Sequence, residues 1–133
     1  MCQFLVVAYN NTNTPLTFLN YDGSTMPVNT VSIAAGQMFR TDKTFNIPDD
    51  SNPPEFYKAQ HWAVQDNLNN VLFSFWDNDD DHYNLRYCAG ANWEKAQYMP
   101  GFFDGGNKAT VGIVVSGSPG SYSITACKVL NNV

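Results

Sequence analysis

The chain has 133 residues, 44% hydrophobic and only 14% charged, with 7 basic and 12 acidic side chains and a net charge of −5. That length suits one domain spanning residues 1–133, able to bury a core without disulfides or metals. No Lys/Arg cluster accompanies the acidic balance. This excludes a phosphate-neutralising nucleic-acid binder and a protein held to an anionic bilayer by charge alone.

Apolar residues come in short runs separated by Gly, Pro, Asn and Asp, which predicts strands and turns. Residues 3–9 are apolar on both faces, the mark of a central strand. Residues 10–15 form its turn. Residues 16–21 form the next strand, stopped by Asp22-Gly23. A strand near 28–33 comes next, and Ala35-Gly36 turns the chain into residues 37–39. Residues 42–54 hold three prolines and three aspartates, which predicts a loop. Residues 60–66 and 71–76 read as a hairpin around Asn67-Leu68-Asn69-Asn70. Beyond the acidic loop 77–81, residues 83–88 alternate, with Tyr83, Leu85 and Tyr87 on one face. Asn92 can cap a short helix over 92–99, ended by Pro100-Gly101. Strands over 111–115 and 122–129, joined by a Gly-Ser-Pro-Gly turn, complete the chain. About nine strands and one short helix predict an all-β protein, a single antiparallel β-sandwich.

The three cysteines, Cys2, Cys88 and Cys127, are an odd number and argue against a complete disulfide framework. A Cys88–Cys127 bridge is one reading, since both fall in candidate strands; three reduced thiols in a cytosolic protein is the other. No basic stretch leading into an apolar core opens the sequence, so no secretory signal is expected. No apolar run reaches the roughly 18 residues that a membrane span needs. Asn10-Asn11-Thr12 fits a glycosylation sequon, idle without secretion.

Four carboxylates crowd into Asp77-Asn78-Asp79-Asp80-Asp81. Oxygen-rich loops hold calcium, with Asp77, Asp79 and Asp81 as candidate ligands. An EF-hand loop counted from Asp77 would need Gly at its sixth position and Glu at its twelfth, where His82 and Cys88 stand. The run therefore reads as a solvated hairpin loop, and no metal or other cofactor is expected. Enzymatic motifs are equally thin. His61 and His82 are the two histidines, and neither G-x-S-x-G nor H-E-x-x-H occurs. His61, in a strand beside Trp62, reads as a packed or surface residue rather than a base.

Seven aromatic residues crowd between positions 76 and 103: Trp76, Tyr83, Tyr87, Trp93, Tyr98, Phe102 and Phe103. Part of this is core. The rest suits a binding surface, because Trp and Tyr join an apolar body to a polar tip. Their faces also attract choline ammonium and stack on sugar rings.

In residue order and spacing the chain resembles the actinoporin-like β-sandwich superfamily. This group includes sea-anemone pore-forming cytolysins, fungal fruit-body lectins and, more distantly, aegerolysins. Val71-Leu72-Phe73-Ser74-Phe75, an acidic aromatic loop and Tyr83-Asn84-Leu85-Arg86-Tyr87 resemble the segment forming the head-group pocket. Trp93-Glu94-Lys95-Ala96-Gln97-Tyr98 is similar to the tyrosine-rich helix after that segment. Upstream, residues 6–11 and 33–37 resemble the first strands and the turn before the next one.

The resemblance implies a phosphocholine-type site. Ser74 would donate a hydroxyl, and Tyr83 (or His82 beside it), Trp93 and Tyr98 would supply aromatic walls and phenolic donors. Trp76 stands where the family pattern has proline and Gln97 where it has tyrosine, which implies a different ligand. The family's pore is built by an amphipathic helix before the first strand. Here the first strand begins within three residues of Met1, so no pore of that kind is expected from this chain by itself. The fungal lectins also lack that helix and read galactose-type glycans. Aegerolysins share the size and acidity and bind membrane lipids, but their Trp- and Cys-rich signatures are not reproduced.

The expectation is a non-enzymatic protein that recognises membrane lipid head groups or cell-surface glycans, cytolysin-like or a defence toxin. The alternative is a lectin that agglutinates without membrane insertion. One site per chain would then require a homo-oligomer to cross-link cells. Either role places the protein in the cytoplasm, or releases it without a classical signal, to act at target cell surfaces.

Overall fold

The structure, a computed structural model, describes residues 3–48, 60–77, 85–101 and 109–129. Among them ten strands build two sheets. The first, ordered β10-β9-β1-β4, comprises β1 (Gln3–Thr12), β4 (Met38–Ile47), β9 (Thr110–Gly117) and β10 (Ser123–Lys128). The second, ordered β3-β2-β5-β6-β7-β8, comprises β2 (Leu16–Asp22), β3 (Asn29–Ile33), β5 (Gln60–Gln65), β6 (Val71–Asp77), β7 (Leu85–Ala89) and β8 (Gln97–Tyr98). All pairings are antiparallel except β1 with β9.

Side-chain alternation turns one face of each sheet inward. Leu5, Ala8, Val111 and Ile113 on one side meet Phe18, Trp62, Val64 and Phe75 on the other in a shared buried cluster. The expected all-β sandwich is the observed architecture. As its sequence suggests, β1 is central, between β9 and β4. Polar contacts also join the layers: Gln3 on β1 donates through Nε2 to Asp77 Oδ1 on β6 at 2.8 Å, both residues fully buried, and Trp62 Nε1 on β5 donates to Asn46 O on β4 at 3.0 Å.

Three local expectations need correction. Residues 42–47 are strand, the second half of β4, not loop. Phe45 and Ile47 pair with Leu5 and Gln3 and supply alternating inward side chains, so the strand continues to the residue before Pro48. Asn10 belongs to β1 rather than to a turn. It is fully buried, with Nδ2 donating to Thr14 O at 2.8 Å and Ile33 O at 2.9 Å, so the folded chain does not present it for glycosylation. The expected helix over 92–99 is a single 3-10 turn at Trp93–Lys95, with β8 directly after it. Asn92 makes no side-chain cap, and Gln97 and Tyr98 pair with Tyr87 and Arg86 instead of continuing a helix.

Cys88 and Cys127 are both free thiols. Cys88 sits on the outer face of the six-stranded sheet and Cys127 on that of the four-stranded sheet. The sandwich separates them, so the bridge is not made. Among the described residues no helix is long and apolar enough to cross a membrane.

Candidate functional site

A sheet's outer face ordinarily meets water, yet here part of it is buried. His61, Ala63, Ser74, Trp76 and Cys88 all point away from the core, and none is more than 6% exposed. Among the described residues, the return segment between β7 and β8 packs on this face. Gly90 turns it at φ +56°, a left-handed conformation open to glycine, while its N–H donates to Leu72 O at 2.9 Å. The Gly90 carbonyl then accepts the Ser74 hydroxyl at 2.7 Å, with the Cys88 sulfur 3.7 Å away. The 3-10 turn lays Trp93 over the sheet. Farther on, Arg86 donates through Nη2 to Ala96 O at 3.1 Å and lies 4.9 Å from the Tyr98 ring centroid.

Beneath this flap runs an aromatic row. Tyr21 on β2 stands opposite His61 on β5, and the rings stack at 5.1 Å. One step beyond the Trp62–Phe75 pair, Trp76 is the residue beside His61. Trp93 meets both, edge-on to His61 at 4.7 Å and tilted on Trp76 at 5.6 Å. Rings in these arrangements attract each other beyond their burial.

Next to the row lies an open cleft of about 250 Å³. Its floor is the outward side of β5 and β6: His61, Ala63, Gln65 and Ser74. Tyr21 and Thr25 form one wall; Val71 and Ala91 border it elsewhere. The described lining carries no Asp, Glu, Lys or Arg, only hydroxyls, an amide, an imidazole, an aromatic ring and small apolar groups. Such a surface can exchange hydrogen bonds with neutral hydroxyls and receive an apolar ring face. It offers no counter-charge for a phosphate.

The expected site residues fall in three places. Ser74, Trp76 and Trp93 come together around the cleft and its aromatic row. Ser74 lines the cleft, Trp76 is fully buried beneath Trp93, and Trp93 is half-buried. Gln97 and Tyr98 sit on the edge strand β8, beyond β7 and outside the cleft; Tyr98 is 46% exposed over Arg86. His82 and Tyr83 lie outside the described residues, as do Asp79 and Asp81. Asp77 points inward to Gln3, away from a surface calcium loop. Among the described residues no three His, Cys, Asp or Glu groups cluster as a metal site.

Tyr21, Thr25, His61 and Gln65 are cleft residues that the sequence did not single out. A signal existed for two of them: His61 and Gln65 alternate with Trp62 and Val64, which places them on the non-core face. Nothing in the pattern marks that face as partly covered.

Burial also sets the chemistry of Cys88. Desolvation raises its thiol pKa from 9.0 to about 11, so it stays a neutral thiol at physiological pH. The chain is thus an all-β two-sheet sandwich with a flap-bordered cleft on one outer face, uncharged in its described lining. No family model matches it, and neither the curated proteins nor the solved structures yield a match.

Proposed function

We propose that this chain is a non-enzymatic binding protein whose outer-face cleft takes a neutral glycan of a cell-surface glycoconjugate. In this reading it is a sandwich of the actinoporin-like kind that works in the manner of the fungal lectins. The supporting observation is the described lining itself. Tyr21, Thr25 and Gln65 offer neutral donors and acceptors around an aromatic end, and no charged side chain stands among the described lining residues. Sugars present this chemistry, with hydroxyl edges and an apolar ring face. The Ser74 proton is committed to the Gly90 carbonyl, and His61 is buried between Tyr21 and Trp93. Both favour binding over nucleophilic catalysis.

A lipid head-group reading has one observation of its own. Met26 and Val28, 71% and 55% exposed, lie on the loop that carries Thr25 to the cleft. Cosedimentation with phosphatidylcholine vesicles, with and without a neutral glycolipid, separates the readings. Binding only to glycolipid vesicles, released by the free sugar, is the expected outcome. Equal binding to plain vesicles, unaffected by sugar, would replace the glycan with the head group.

A further inference from the structure

The cleft lies over β5, flanked by Tyr21 of β2 and by Ser74 and Val71 of β6. Its floor takes three alternate residues of β5, His61, Ala63 and Gln65. Four residue steps of extended chain cover about 13 Å. The two ends differ. At one, the Tyr21 ring is stacked on His61. At the other, the half-buried Gln65 amide stands beside Val71, its partner in the sheet. Between them the floor drops to a methyl group, because Ala63 is the smallest side chain with a Cβ and is almost fully buried.

Taken with the glycan reading, on which it rests, this geometry leads us to propose that the cleft binds a linear uncharged oligosaccharide, laid parallel to β5 across more than one ring. One ring covers the Tyr21 end, and the chain passes over Ala63. A later ring meets the Gln65 amide, which can donate and accept at once. A single pyranose is shorter than this span and reaches only one end. The site therefore discriminates by chain length as well as by sugar identity. The low floor at Ala63 is the specificity-determining feature, since a larger side chain there would divide the groove.

Titration calorimetry tests this with three homologous series: N-acetylglucosamine to chitotetraose, glucose to maltotetraose, and galactose to a linear galactose-containing tetrasaccharide. In the series that binds, affinity should rise about tenfold or more from the monosaccharide to the di- or trisaccharide, as the amide's hydrogen bonds are added. Gln65→Ala should weaken the trisaccharide more than the monosaccharide, flattening the series. Tyr21→Ala should weaken every member. Ala63→Leu should remove the length dependence, and because a larger side chain can disturb the sheet, the exposed-side Gln65→Ala serves as the independent variant. Equal affinity for mono- and trisaccharide would overturn the extended groove while leaving the glycan reading standing. No binding in any series would overturn both.

Discussion

Asn10 shows how one amide holds several turns. Its Nδ2 donates to the carbonyls of Thr14 and Ile33, and its Oδ1 accepts from Thr12 N at 3.1 Å. Its backbone adds Gly36 N to Asn10 O at 2.9 Å, so the turns after β1 and β3 are tied to one residue. Removing the amide leaves buried backbone groups without partners, each costing about 1–3 kcal/mol. Asn10→Ala should therefore lower unfolding stability by about 2–3 kcal/mol, read from the urea midpoint at unchanged slope. A loss below about 0.5 kcal/mol would show that water replaces the amide. Cys88 makes a second prediction at this scale. Its pKa is about 11 folded against 9.0 unfolded, raised by burial. Above pH 9 the unfolded chain loses the thiol proton while the folded chain keeps it, so stability is full below pH 9 and falls toward pH 11. Tyr and Lys titrate in the same window, so the diagnostic is the difference between wild type and Cys88→Ala. It should change by about 2–3 kcal/mol across that range, and a flat difference would mean that the thiol is solvated.

At the level of elements, the flap between β7 and β8 borders the cleft. It is held by Gly90, by the Ser74 hydroxyl and by Trp93 on His61 and Trp76. Trp93→Ala uncovers two buried rings. It should cost about 2–3 kcal/mol, less than a fully buried Trp because Trp93 is half-buried. Amide exchange should then accelerate in β6 and β7 and stay slow in β1 and β9. Uniform acceleration would mean that Trp93 supports the whole fold. Gly90→Val should loosen the same flap by forcing a β-branched residue to positive φ. Most strands were legible in the sequence, since alternation and turn residues report local backbone directly. The second half of β4 was not, because the prolines and aspartates that give 42–54 loop composition fall, Asp42 apart, after residue 47, while the strand's pairing with β1 comes from far away in the chain. The predicted helix failed for a related reason: residues 94–97 have helical propensity, but pairing with β7 outweighs it over so short a run. The cleft was half legible. Alternation puts His61 and Gln65 on the outer face, yet the flap that borders the cleft there comes from a tertiary return that no local pattern encodes.

For the whole molecule, the sandwich has two outer faces of different character. The six-stranded sheet's face is partly roofed by the flap. On the other, Cys127 is exposed on the edge strand β10. Thiol labelling at a pH of about 8, just below the ordinary thiol pKa, reads this directly. In a Cys2→Ser background, which removes the third thiol, the exposed Cys127 should react in the folded protein and Cys88 only upon unfolding; adding Cys127→Ser isolates each. A Cys88–Cys127 disulfide would leave both unreactive until reduction. The proposed glycan site lies on the flap-side face. Amide shift mapping by NMR, titrating a neutral oligosaccharide into the isotope-labelled chain, tests it most directly. Shifts confined to residues 61–65, 71–74 and 90–93, with Tyr21 and Thr25, are the expected result. Shifts centred on β10, or on Gln97 and Tyr98 at the β8 edge, would place the site elsewhere and contradict it.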